Sequence, residues 1–411
     1  MTPPAPAKPA RSHKTRSLLI AIGALVAIVA FLLLTPSSMW VVCRPQEDGT
    51  MKMVNYYGLN PYVTVPAERS GMPVTAIDKD AFRIMRWLVR GVELPDSVTH
   101  LPDQLFLKCT HLHSVTLPKG LAELPPFTFY DCVSLKQIDL PAGLTAIGPM
   151  ALAYCDLASI DLPEGLTAIE DSAFAGNYKL THVTRPSTLR HIGPSAFKLT
   201  ALSSVTLPEG IVSIGDSAFM STDLQEAVLP AGLTVLESNL FSHCSALERV
   251  ELPDTITHIG SDAFYKCQSL NYIALPNSIV SIGDGAFAYS GLQKAALPAG
   301  LTTLESDLFA NCDALQEVTW PDALTHIGSR AFSGCKSLKR ITLHRSLVSI
   351  GDSAFAFCTS LEHIDVPASV VAIAPNAFAS AGSALTVHVA PGSYAEQYCI
   401  DNTLHYIADL P

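Results

Sequence analysis

From about residue 51 onward, apolar side chains fall in short alternating runs that return at a fixed interval. The run L-x-x-V-x-L ends in strict alternation, which predicts a short strand with one buried face. A proline usually follows, as at Pro118, Pro141, Pro253 and Pro298, and ends the strand because it has no N–H to donate. The segment L-T-x-I then sends two more aliphatic side chains inward. Next comes G-D-S-A-F, as at Gly215–Phe219 and Gly351–Phe355. It predicts one helical turn capped by Asp or Ser, with the Phe in the core.

The phenylalanines set the register. They fall at Phe82, Phe106, Phe129, Phe174, Phe197, Phe219, Phe241, Phe264, Phe287, Phe309, Phe332, Phe355 and Phe378, with Leu152 in place of one, at intervals of 22 to 24 residues. No unit of that size can bury its own apolar side, so about fourteen units must stack. Three residues after each Phe stands a small polar group: Cys109, Cys132, Cys155, Asn177, Thr200, Thr222, Cys244, Cys267, Ser290, Cys312, Cys335 or Cys358. In a stacked coil these groups satisfy buried backbone atoms. The pattern therefore predicts a ladder of free buried thiols. Cys43 and Cys399 lie outside it.

The N-terminus has a different rhythm. Leu18 to Leu34 are seventeen apolar residues without a charge, preceded by Lys8, Arg11, Lys14 and Arg16. Such a run predicts a helix of roughly 26 Å, read as an uncleaved transmembrane signal anchor in preference to a cleaved signal peptide. Trp40 reads as an interfacial anchor and the basic residues place the N-terminus in the cytoplasm. The expected organisation is a disordered basic cytoplasmic segment (1–16), a membrane anchor (17–42), a linker (43–50), repeats (51–389) and a C-terminal cap (390–411). The expected location is a single-pass membrane protein with its repeats extracytoplasmic.

The recurring unit resembles the BspA-like branch of the leucine-rich-repeat superfamily, whose repeats read close to LPxxLTxIGxxAFxxCxxL. The resemblance covers about residues 51–407, with opening and closing segments similar to that family's caps. It implies a right-handed leucine-rich-repeat superhelix, a solenoid with a parallel β-sheet along one face. It also implies a surface-exposed binding or adhesion role. Departures are local. His344 stands where Pro is expected, and Glu170, Glu237 and Glu305 replace a Gly, so that position does not need positive φ. Residues 207–274 and 275–342 align as three-unit blocks with well over half their positions identical, which reads as a duplication.

Charge and motif content narrow the function. The net charge is −11 and the charged fraction only 15%. With the basic residues of the first segment set aside, the body is acidic and repels nucleic acid at long range. The cysteines form no C-x-x-C pairs, and no G-x-S-x-G, H-E-x-x-H, G-x-G-x-x-G or P-loop occurs. The histidines His100, His191, His258 and His326 share one repeat position, but His258 and His326 are three coils and so roughly 14 Å apart. They read as a solvated face. No enzyme, metal or cofactor is expected.

The expected function is a membrane-tethered binding or adhesion module for a protein or glycan at the cell surface. A structural, self-associating envelope component is the alternative. A candidate binding surface comes from the column just before the inward Val: Arg249, Tyr272, Lys294, Glu317, Arg340 and His363, preceded by Ser204 and Glu226. Tyr and Arg are enriched at interface hot spots. The competing reading is an ordinary cross-strand charge ladder.

Overall fold

The computed structural model describes residues 13–184 and 186–411. It is a β-solenoid of about sixteen turns. The predicted strands form along one face as parallel pairs between successive coils, for example Ser204–Thr206 on Glu226–Val228 on Arg249–Glu251. The L-T-x-I segment forms a second, narrower parallel ladder, two residues per strand, that periodicity alone did not reveal. There His191–Ile192 pairs with Ser213–Ile214, and His258–Ile259 with Ser281–Ile282.

The core runs between these faces. The Phe column is buried throughout. From Phe174 to Phe378 neighbouring rings lie 5.4–5.9 Å apart, centroid to centroid, and nearly parallel. Contacts of this kind add to the burial of each ring.

The G-D-S-A-F segment does not make the expected helical turn. Two residues per coil take left-handed backbone angles, such as Ser217 (φ 58°) and Ser221 (φ 57°). That conformation costs an L-residue about 1–2 kcal/mol. Its effect is to turn alternate N–H groups towards the next coil: Ser217, Phe219 and Ser221 donate to the carbonyls of Ser238, Leu240 and Ser242 at 3.0, 3.1 and 2.9 Å. The intervening Ala218 and Met220 donate back to Gly215 and Ser217. The turn edge is thus a third hydrogen-bonded ladder, which offsets the strain because buried N–H groups must find acceptors.

The glycine ahead of this segment serves close approach, not positive φ. A Cβ on Gly260 would lie 2.5 Å from the Ser238 nitrogen of the preceding coil. Glu237 and Glu305 carry a Cβ there, and the narrow ladder is interrupted before both: it stops at Ser213–Ile214 and Ser281–Ile282 and resumes at Val235–Leu236 and Thr303–Leu304. Glu170 is accommodated without a break, its N–H reaching the Ile147 carbonyl at 2.9 Å.

The thiol ladder is present, and all ten cysteines are free. Cys132, Cys267 and Cys335 each donate to a Phe carbonyl of the preceding coil at 3.1–3.2 Å. Burial pushes these thiols up, Cys312 to about 11 and Cys109 to about 12. An unfolded thiol ionises near 8.5. Between that value and the folded ones the unfolded chain has lost protons that the folded chain keeps, so stability falls as pH rises. We expect the ladder thiols of the native protein to resist a disulfide reagent at pH 8 and to react after unfolding. The melting temperature should drop from pH 8 to pH 10. Rapid labelling of all eight ladder thiols in the native state would contradict this.

Both ends of the stack are covered. At the start, Val41–Pro45 pairs antiparallel with Met51–Tyr56, which passes parallel to Met72–Ile77 in the first coil. At the end, a helix Tyr394–Asp401, capped by the Ser393 hydroxyl on the Glu396 N–H, precedes the closing strand Tyr406–Ala408. Cys399 is buried within that cap and Cys43 half-buried in the opening hairpin.

The transmembrane expectation is overturned. The N-terminal apolar run does form a helix, His13–Leu34, but among the described residues no helix is long and apolar enough to cross a membrane. Its uninterrupted apolar stretch, roughly 26 Å, falls short of the roughly 30 Å of hydrocarbon that a span crosses, and its first turn is polar. Trp40 is no free interfacial anchor either: its indole N–H donates to Thr35 Oγ1 at 2.8 Å and its ring packs on the core. The single-pass topology, with the N-terminus cytoplasmic and the repeats extracytoplasmic, falls with the anchor. The reading of 1–16 as disordered lies, for 1–12, outside the described residues.

Candidate functional site

Each short strand sends its central side chain inward and its first side chain outward, because successive residues of a strand face opposite ways. The candidate column is therefore a surface feature, and the structure resolves it into three separate ladders. In the first, Arg249 pairs with Glu226 at 2.6 Å and also with Glu251 of its own strand. In the second, Lys294 pairs with Glu317 at 2.7 Å, a contact that holds the ammonium above its usual range. In the third, Arg340 stands 3.9 Å from Asp365, and His363 Nδ1 faces His388 Nε2 at 3.2 Å.

Tyr272 belongs to none of these. Its coil forms no strand over 271–275, and its side chain is 63% exposed. Arg249 and Lys294 flank it in sequence register, but both spend their charge on carboxylates. Glu317 goes to Lys294 and not to Arg340. The column is thus part charge ladder, with Tyr272 left open between the first two ladders. Pairs this exposed contribute about 0–1 kcal/mol each.

The structure also assembles what the repeat pattern could not. Asp409 accepts from or pairs with His388 Nδ1 at 3.0 Å, which extends the His363–His388 contact into a chain across the last coils. His388 and Asp409 sit where the repeat has given way to the cap, so no periodic signal marks them. Among the described residues no group of three or more His, Cys, Asp or Glu side chains could hold a metal ion.

A family model for the BspA-type leucine-rich repeat region, in six copies, matches residues 75–202, 190–315 and 302–405. The chain belongs to this BspA-type leucine-rich repeat family. Among solved structures, a leucine-rich repeat protein from Bacteroides ovatus is 26% identical, with a TM-score of 0.71 over 89% of this chain and 97% of that one. A leucine-rich cell surface protein from Faecalibacterium prausnitzii is 25% identical, with a TM-score of 0.52 over 90% of this chain and 97% of that one. No curated protein matches the sequence significantly. As a BspA-type repeat, the chain has its inward positions explained by stacking alone. The outward ones are where members can differ.

Proposed function

We propose that this chain is a non-enzymatic recognition protein that presents the strand face of its solenoid to a protein or glycan. One contrast carries the reading. The inward column is nearly uniform, Val, Ala or Ile from coil to coil, whereas the outward column runs Ser204, Glu226, Arg249, Tyr272, Lys294, Glu317, Arg340, His363. Packing constrains the first and leaves the second free to specify a partner. Extended faces of repeat proteins suit this task. The relative described as a cell surface protein supports it.

Tyr272 is the residue on which to test it, since it is exposed and its loss breaks no ladder bond. We expect Tyr272→Ala to weaken capture of partners recovered from cell-surface and matrix fractions at least tenfold, about 1.4 kcal/mol, with an unchanged thermal melt. Surface-plasmon binding of both proteins measures it. Equal affinities would remove Tyr272 from the binding surface. Concentration-dependent assembly in light scattering, without partner binding, would favour the self-associating alternative.

A further inference from the structure

The strand ladder stops between Glu317–Thr319 and Arg340–Thr342, which lie in adjacent coils but do not pair. The opened joint holds a cleft of about 620 Å³ whose lining includes Trp320, Arg340, His344 and Arg345. Trp320 occupies the place of the inward Leu, its indole edge-on to Phe332 with ring centroids 5.4 Å apart, and it stays half-buried at the cleft wall. Residues 336–345 read KSLKRITLHR, with four cations and a histidine and no acid. In a chain of net charge −11 this is a local reversal of sign. The screening length at physiological ionic strength is about 8 Å, so the nearby groups set the balance: the cleft itself is lined by Arg340, Arg345 and Glu317, and Glu317 is paired with Lys294.

The cations are only partly committed. Lys336 pairs with Asp313 at 3.0 Å, and Arg340 lies at the long distance of 3.9 Å from Asp365, whose other oxygen takes the Thr342 hydroxyl. His344 faces the exposed Asp322 at 3.3 Å. Among the described residues Lys339 and Arg345 make no ion pair.

The duplicated block supplies an internal control. With well over half of their positions identical, residues 207–274 and 275–342 share one fold. Yet the residues at this joint differ as a set from those 68 positions earlier: within the blocks Trp320, Lys339 and Arg340 stand against Leu252, Asn271 and Tyr272, and in the coil just beyond the second block His344 and Arg345 stand against Pro276 and Asn277. The exchange adds one indole, three permanent cations and an imidazole to a single joint, and Arg340–Thr342 forms a strand where 272–274 does not.

We infer that this joint binds an acidic polysaccharide, with its carboxylate or sulfate groups on Arg340 and Arg345 and a sugar ring against Trp320. A peptide would need to add itself as a strand to exploit the opened ladder. Cα atoms of the two strands still approach within 8 Å, and an inserted strand needs about twice the 4.7–4.9 Å spacing between neighbours. What fits is a ring edge or an anionic group entering from outside, with the exposed Gln316 and Thr319 available to hydroxyls. Guanidinium groups suit planar, bidentate contact with such anions. The inference rests on the strand face being the recognition face and adds the class of ligand and its place.

The test uses heparin as the acidic polysaccharide, polyglutamate as an acidic peptide and dextran as a neutral glycan, titrated calorimetrically into the full chain. The variant combines Trp320→Leu, Arg340→Tyr and Arg345→Asn, each the residue found 68 positions earlier, so the coil keeps side chains that an equivalent coil already accepts. Heparin should bind the parent protein, weaken at least tenfold in the variant and weaken further with added salt, while the melting temperature holds. Dextran should not bind. Equal heparin affinity in the two proteins, or no heparin binding by the parent, would overturn the site. Tighter binding of polyglutamate, lost in the same variant, would overturn the ligand class. Partner capture through Tyr272 without heparin binding would remove this inference and leave the broader reading standing.

Discussion

Phe264→Ala is expected to destabilise the protein by about 3–5 kcal/mol, the range for truncating a large buried aromatic side chain to Ala. Phe264 is fully buried at mid-stack, with Phe241 at 5.7 Å on one side and Phe287 at 5.4 Å on the other. Its removal takes away the transfer free energy of the ring, opens a cavity and leaves both neighbours without a stacking partner. The backbone cannot collapse to fill the space, because the Phe264 N–H donates to Ala286 in the next coil at 2.8 Å and neighbouring turn-edge bonds hold the spacing. Stability in a solenoid is a sum of coil and interface contributions. Amide exchange should therefore speed up in the adjacent coils before the ends respond. Urea denaturation reads the total, and a change below about 0.5 kcal/mol would show that the column is not core.

The second large effect is at Asn177, a fully buried polar residue in the position that Cys fills in most coils. Its amide donates to the Leu152 carbonyl of the preceding coil and to the Phe174 carbonyl of its own, both at 2.8 Å, and its carbonyl oxygen accepts from the Leu157 N–H at 3.3 Å. Ladder cysteines such as Cys335 donate to the preceding coil, Thr200 bonds within its own, and Thr222 bonds within its own and to the Cys244 thiol of the next. Asn177→Ala strands the Leu152 carbonyl and the Leu157 N–H, and leaves the Phe174 carbonyl only the 3.4 Å bond from the backbone N–H of residue 177. Each unsatisfied buried group costs about 1–3 kcal/mol. Allowing for partial relaxation, we expect a loss of about 2–4 kcal/mol. Asn177→Cys should lose roughly half of that, because a thiol can restore the donation to Leu152. Denaturation of the three proteins in parallel decides it, and a Cys variant less stable than the Ala variant would refute this account of the position.

Much of the fold could be read from the chain because one period governs it. The Phe register, the strand ending at Pro and the thiol ladder all follow from side chains that must face inward at every turn. The narrow ladder and the turn-edge ladder could not be read, since both are made of backbone groups. Val235–Leu236 looks no different from any half-buried pair, and Ser217 does not advertise a left-handed backbone. The N-terminal helix is legible as a helix, but its apolar length does not sustain the membrane role that its charge-free run suggests. For the surface, the sequence placed the residues of the outward column together but could not choose their partners. Glu317 had two cations within register and took Lys294. The cleft was hidden for another reason. Trp320 at a Leu position was visible, but nothing linear shows that the ladder opens beside it.

The two backbone ladders also run in opposite senses. At the turn edge each coil donates forward to the next, as Phe219 does to Leu240, while on the narrow face each coil donates backward, as Gly260 does to Leu236. Corresponding joints of the two duplicated blocks, including the interruptions before Glu237 and Glu305, therefore offer the same donors and acceptors to whatever coil arrives. A segment of 68 residues, the length of the duplicated block, can be gained or lost in frame without leaving an orphaned amide on either side. Unequal recombination between near-identical blocks then becomes a route to longer and shorter molecules that fold equally well. Reach can thus be adjusted by whole blocks, independently of the point changes that write chemistry onto the surface.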